Sequence, residues 1–156
     1  MQDLIGVVKE LKQNRRDISA IIIGDGSFLE DLKTSIKQNG LEKNILTTGF
    51  LGDDRYKLLQ ESRVFVSPTY AKEGFGLSLL EALFFDVPII SYTNPVLEEV
   101  FGSYESVNLI KHDTKMLQDS VSESLEGEWP CHTPDLSVYD LESCAARERE
   151  ILLQAM

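Results

Sequence analysis

Two cysteines, two histidines and one tryptophan are all that the 156 residues contain of these types. Cys131 and Cys144 have neither metal-type nor redox-type spacing, and His112 and His132 stand apart from each other. That excludes a patterned zinc site, a disulfide framework and a dithiol redox centre, so neither metal nor cofactor is expected. No segment approaches the roughly 18 consecutive apolar residues that a spanning helix needs. The start, MQDLIGVVKELKQNRR, lacks the basic opening, apolar stretch and cleavage site of a secretory signal, which predicts a cytoplasmic location. Basic residues are also scarce: 15 Lys and Arg stand against 26 Asp and Glu, for a formal net charge of −11. Nucleic acid and anionic membranes are excluded as partners, because both require clustered cations.

What the chain does have is a regular alternation of two hydrophobic periods. Leu4, Ile5, Val8 and Leu11 repeat at helical spacing until about Asn14, and the β-branched run 18–23 then closes on Gly24, Asp25 and Gly26. Ser27, with Glu30 three residues on, predicts a capping box for a helix that Asn39 and Gly40 end. Further strands are expected at 44–48, 63–67, 89–91 and 107–110, with helices at 54–61, 76–84, 96–101 and 113–125. Five apolar strands separated by helices predict a doubly wound, Rossmann-like α/β fold: a parallel sheet covered on both faces. The segment 126–134, with Gly127, Pro130 and Pro134, breaks the pattern before a last helix at about 139–153. The expected organisation is a domain over 1–126, a linker over 127–137 and a tail helix over 138–156, with Cys144 packed on that helix's apolar face.

The stretch richest in chemistry runs from Ser67 to Leu83, SPTYAKEGFGLSLLEAL. It spans the carboxyl end of a strand and the start of a helix, which is where open α/β sheets bind ligands. Gly74 and Gly76 allow close backbone approach, and the helix's first N–H groups suit an anion such as a diphosphate. With the helix starting near Gly76, Glu81 lies about 7 Å further along the axis, a pyrophosphate-to-ribose distance. Leu77, Leu80, Leu83 and Phe84 are expected to share the inward face, with Glu81 at its border. A carboxylate there can accept two hydrogen bonds from a ribose diol. Spacing alone goes no further than an anion-binding turn, since a glutamate on a solvated helix flank is common. The Gly24-Asp25-Gly26 turn begins a dinucleotide fingerprint, but Leu29 stands where its third glycine belongs.

Glu73 and Glu81 within EGFGLSLLEAL, followed by VPIIS, resemble the signature of the glycosyltransferases group 1 family, retaining enzymes of two-domain GT-B architecture. IIIGDGS is similar to the family's second strand and turn, NILTTGFLGDD to its base-side loop, and SRVFVSPTY to the strand before the motif. The resemblance runs in order over residues 3–125. It implies a donor-binding domain for a nucleotide diphosphate sugar, transferred with retention to an acceptor and without a bound metal. By the same resemblance, Glu73 contacts the donor sugar as the catalytic-site carboxylate. Gly74, Phe75, Gly76 and Leu77 present backbone N–H groups to sugar and phosphate. Glu81 binds the ribose, and Phe50, Leu51 and Gly52 lie beside the base. The chain departs from the family at Asp86, where glycine is usual, and at Asn94-Pro95, where a glycine pair is usual. Lys72, beside Glu73, is a further cation at the motif.

The resemblance also implies absences. The family's domain opens with a strand and a basic loop that grips the diphosphate, ahead of the helix that Asp3 to Leu11 resembles. Lys9, Lys12, Arg15 and Arg16 lie on or beyond that helix. Because the first strand is central in the order 3-2-1-4-5-6, two facing edges are expected to be unpaired. The expected partners are therefore an upstream segment or an acceptor-binding domain, or a second copy completing the sheet as a dimer. A nucleotide-sugar epimerase of the same architecture and a non-catalytic nucleotide-sugar-binding subunit are the alternatives.

Overall fold

The computed structural model describes residues 1–14, 17–70, 75–127, 136–140 and 142–147. Helix α1 (Gln2–Asn14) leads to β1 (Ala20–Ile23), α2 (Leu29–Gln38), β2 (Ile45–Gly49), α3 (Asp54–Gln60) and β3 (Phe65–Ser67). The second half continues through α4 (Leu77–Phe84), β4 (Ile89–Tyr92), α5 (Pro95–Phe101), β5 (Val107–Ile110) and α6 (Thr114–Glu126), then a 3-10 turn at Ser137–Tyr139. The five strands are those expected from the sequence: β1, β2 and β3 start a residue or two later, and β4 and β5 start where expected.

All strand pairs are parallel, and they fall into two groups: β1 with β2, and β3 with β4 and β5. No ladder joins β1 to β3. The alternation of β4 shows how the second group is covered. Ile89 packs with Leu79, Leu83, Leu97 and Phe101 of α4 and α5 on one face. Ile90 and Tyr92, two residues apart, pack with Val7, Leu11 and Leu117 of α1 and α6 on the other. Successive residues that are both apolar need both faces covered, as in any sheet between two helical layers. Helix α1 also sends Leu4, Ile5 and Val8 against Ile22, Ile36 and Ile45. One helix therefore braces both strand groups from beneath.

Three local expectations fail for definable reasons. Helix α2 starts at Leu29 with no side-chain cap at Phe28, and Glu30 instead accepts from Lys33 Nζ at 2.7 Å. The capping box fails because the helix begins two residues after Ser27, with Phe28 as the residue preceding it, so Ser27 does not stand at the N-cap. In α4 the buried residues are Leu79, Ala82 and Leu83, whereas Leu77 and Phe84 are 69% and 67% exposed. The run LSLLEALF is apolar on more than one side, so periodicity cannot fix its rotation. Cys144 is exposed, and no residue of 142–147 is buried, so that stretch presents no apolar face to a core. What ties the end of the described chain down is Leu136, against the α4–α5 cluster, and Tyr139, whose hydroxyl donates to Val100 O at 3.3 Å.

The two departures from the family pattern have local explanations. Asp86 follows α4 in the left-handed region, φ 57°, a conformation that Asp tolerates better than most residues and Gly best of all. Asn94 caps α5: its Oδ1 accepts from Val96 N at 2.9 Å and Leu97 N at 3.0 Å, with Pro95 at the first helical position. We expect Asn94→Ala to destabilise the fold by about 1–2 kcal/mol, read as a lower midpoint in urea, and Asn94→Gly to cost only a few tenths.

Candidate functional site

Between β1 and β3 lies a cleft of ≈ 950 Å³. From it the chain builds outward in both directions, to β2 on one side and to β4 and then β5 on the other. Such a reversal of strand order is where α/β folds place their ligands, beyond the carboxyl ends of the strands. Here those ends are Ile23 and Ser67, and both line the cleft with Ser78 and Glu81 of α4 and Arg55 of α3.

Gly76 sets the start of α4. Its φ of 78° places it in the left-handed region as the residue preceding the helix, and an added Cβ would stand 2.9 Å from Leu97 Cδ2 and 3.1 Å from Phe101 Cε2. The turn therefore packs directly on α5. Glu81 follows one turn later, half-exposed on the flank. Arg55 Nη2 donates to Glu81 Oε1 at 2.8 Å, Arg55 Nε to Oε2 at 3.4 Å and Tyr56 Oη to Oε1 at 3.2 Å. The same guanidinium donates from Nη1 to Gly52 O at 3.0 Å and lies over the Tyr56 ring, 4.1 Å from its centroid. Arg55 thus fastens the 50–52 loop to the α4 carboxylate. Its hydrogen bonds hold the Glu81 carboxyl below the usual carboxylate range, against the opposing effect of partial burial.

Of the residues singled out from sequence, Glu81 and Gly52 are brought together through Arg55. Phe50 is 79% exposed and free to meet a planar ligand, and Leu51 is partly buried. The Phe75 ring packs against Tyr139 and Phe101, with centroids 5.4 and 6.4 Å apart. Leu77 projects into solvent. Glu73, Gly74 and Lys72 lie outside the described residues, as do Arg15, Arg16, Cys131 and His132. Among the described residues no group of three or more His, Cys, Asp or Glu converges as metal ligands would, and no helix is long and apolar enough to cross a membrane.

Sequence reasoning missed Arg55 and Tyr56, which are 26 and 25 residues from Glu81 and obey no local spacing rule. It also missed a second cluster at the carboxyl ends of the strands. Asp3 Oδ2 accepts from Tyr92 Oη at 2.6 Å and Tyr70 Oη at 2.7 Å, and the His112 ring sits 4.8 and 4.9 Å from the two tyrosine rings. Burial works against ionisation of Asp3, but the hydrogen bonds from Tyr92 and Tyr70 together with nearby positive charge hold its carboxyl below the usual value. Burial pushes the Tyr92 hydroxyl well up, reinforced by its bond to Asp3.

Both lowered carboxylates link stability to pH in one direction. Their contribution is complete above the ordinary carboxylate pKa, about 4, and is lost as pH falls through the lower folded values. Thermal midpoints should be flat from about pH 8 to 5 and fall below about pH 4. The double variant Asp3→Asn, Glu81→Gln should show a shallower fall in the same scans.

The glycosyl transferases group 1 family profile matches residues 1–135, and the chain belongs to this family. It is 33% identical over 106 residues to 2-deoxystreptamine N-acetyl-D-glucosaminyltransferase of Niallia circulans, a match covering 67% of this chain and 27% of that protein. The structure is similar to that of HepE from Anabaena in complex with UDP, with a TM-score of 0.74 and 18% identity over 96% of this chain and 44% of that one. It is less similar to the UDP-GlcNAc 2-epimerase of Methanocaldococcus jannaschii, with a TM-score of 0.57 and 16% identity over 98% of this chain and 40% of that one. These two likenesses show the Rossmann-like GT-B fold alone. The chain spans about a quarter to a third of the length of the curated relatives it matches.

Proposed function

We propose that this chain is the donor-binding domain of a retaining glycosyltransferase and that it holds a nucleoside diphosphate sugar across the mouth of the cleft. The observation that carries the reading is Glu81, fixed by Arg55 and Tyr56 at the carboxyl end of β3 and one turn beyond the Gly76 bend. Its ionised carboxylate accepts the ribose hydroxyls. The N–H groups of 74–77 meet the diphosphate, and Phe50 to Gly52 border the base. Glu73 contacts the transferred sugar. No side chain in this arrangement is needed as a covalent nucleophile. Positioning, and stabilisation of charge on the leaving phosphate, supply the rate while the acceptor attacks the face that the diphosphate leaves. The family match and the enzyme named for the Niallia relative favour transfer over epimerisation.

Calorimetric titration of the chain with a nucleoside diphosphate, and with its sugar conjugate, tests this. Binding of both, tighter for the conjugate, is expected. Absence of binding to this chain and to a complete two-domain protein that contains it would sink the reading. Because the sequence offers no patterned set of metal ligands, chelator should leave donor affinity unchanged. A strong dependence on added Mg²⁺ would count against the proposed site.

A further inference from the structure

The first turn of α4 is held through two neighbouring residues in different ways. Gly76 packs inward against Leu97 and Phe101 of α5. Its carbonyl accepts from Leu79 N at 2.9 Å and Leu80 N at 3.1 Å, so where Gly76 sits decides where the helix begins. Phe75, just before it, is a large apolar residue that is still 39% exposed. Its ring meets Phe101 with centroids 6.4 Å apart and a tilt of 58°, near the outer limit at which aromatic rings attract. Tyr139 lies closer, at 5.4 Å, and its plane stands 78° from that of Phe75, the edge-to-face arrangement that ring quadrupoles favour. Without Tyr139, Phe75 keeps the more distant of these two contacts and loses the better one.

Tyr139 is itself fixed. Its hydroxyl donates to Val100 O at 3.3 Å. Val100 lies in the last turn of α5, where carbonyls run out of partners within the helix, and Tyr104 N, four residues on, bonds Phe101 O instead. Tyr139 therefore supplies that carbonyl with a donor. Burial raises the Tyr139 hydroxyl above its ordinary value, reinforced by a hydrogen bond shared with Tyr104, which keeps it a donor at neutral pH. Three residues back, Leu136 packs on the α4–α5 cluster, and its carbonyl accepts from Tyr139 N at 2.9 Å to close the 3-10 turn. The family profile ends at residue 135, so Tyr139 supports the start of α4 from outside the matched part of the chain.

We propose that Tyr139 is a positioning residue for the donor diphosphate: by holding the Phe75 ring, it fixes the backbone of residues 75–77 where the phosphates bind. The inference rests on the donor reading given above, and it requires no contact between Tyr139 and the donor. A docked 136–139 turn and a bound diphosphate favour the same placement of the first turn of α4. Each therefore strengthens the other, and by the same factor.

Calorimetric titration with UDP, GDP and ADP, well below each variant's thermal midpoint, tests this. Where the chain alone does not bind, the same variants are titrated in the complete two-domain protein that contains it. The nucleotide bound most tightly without substitution should bind Tyr139→Ala about 3- to 10-fold more weakly, the scale of one aromatic pair. Tyr139→Phe, which keeps the ring, should recover most of that affinity. In a Phe75→Leu background, Tyr139→Ala should cost no further affinity, because the ring through which it acts is already gone. A residue that only stabilises the fold would lower the midpoint in both backgrounds and leave affinity alone. Saturating nucleotide should also slow amide exchange at Tyr139 and Asp140 by about 3- to 10-fold, the reciprocal of the affinity effect. If Tyr139→Ala does not fold, Tyr139→Leu takes its place, keeping apolar bulk without the ring. Full affinity in that variant with a lowered midpoint would overturn the positioning role and leave the donor reading standing. So would an undiminished loss in the Phe75→Leu background, or a Tyr139→Phe no better than Tyr139→Ala. Failure of all three nucleotides to bind the chain and the complete protein would overturn both readings.

Discussion

Replacing Glu81 with alanine should weaken binding of a nucleoside diphosphate by about 10- to 100-fold, since hydrogen bonds to a charged group are worth about 1.5–3 kcal/mol and each 1.4 kcal/mol is tenfold. The loss should be nearly the same for the sugar conjugate, because the ribose is common to both. Glu73→Ala should instead weaken the conjugate and leave the bare diphosphate close to unchanged. Stability does not confound the comparison. The Arg55–Glu81 pair is about one-third exposed on each side, and pairs of that exposure contribute about 0–1 kcal/mol to folding, so the thermal midpoint should move by a few degrees at most. Arg55→Ala separates the two roles of the pair. If Arg55 only positions Glu81, its removal should cost part of the affinity and should be partly restored in Arg55→Lys. Equal and negligible effects of Glu81→Ala on both ligands would remove the ribose from this site.

The same residues show how far the sequence could be read. The Gly76 bend and the place of Glu81 on the helix after it were legible because the signals around them are local, a β-branched run, a glycine, then an apolar helical stretch, whereas the 50–52 loop was singled out by the family resemblance. The gap between β1 and β3 was expected too, but from the family resemblance, whose strand order 3-2-1-4-5-6 puts another strand between these two. Arg55 and Tyr56 were not, because their contact with Glu81 is made by side chains across two helices whose rotation depends on packing. Asp3 was hidden for a stronger reason. It meets Tyr70 and Tyr92 across 67 and 89 residues, and its place on α1 reads as an ordinary acidic residue in a first helical turn. The face of α4 was misread where composition, being apolar nearly all round, carries no phase. What set the phase was the bend at Gly76 and the two side chains behind it.

That bend carries the largest expected effect on stability. Gly76→Ala places a methyl group where φ is 78°, and left-handed backbone costs a residue with a Cβ about 1–2 kcal/mol. The methyl also arrives 2.9 Å from Leu97 Cδ2 and 3.1 Å from Phe101 Cε2. Leu97 and Phe101 are fully buried among Leu79, Ala82 and Leu83, so neither can swing into solvent to make room. Overpacking of such a core costs about 1–3 kcal/mol, and the two costs together amount to about 2–5 kcal/mol. Against a total stability of about 5–15 kcal/mol for a domain, the variant should unfold at a clearly lower urea concentration, with donor affinity falling as the start of α4 shifts. Gly76→Ala combined with Leu97→Ala tests the division. Removing the Leu97 side chain relieves the contact but not the backbone strain, so the double variant should lose less than the sum of the two single changes. Additive losses would mean that the 2.9 Å contact is absorbed elsewhere and that the left-handed conformation alone makes Gly76 necessary.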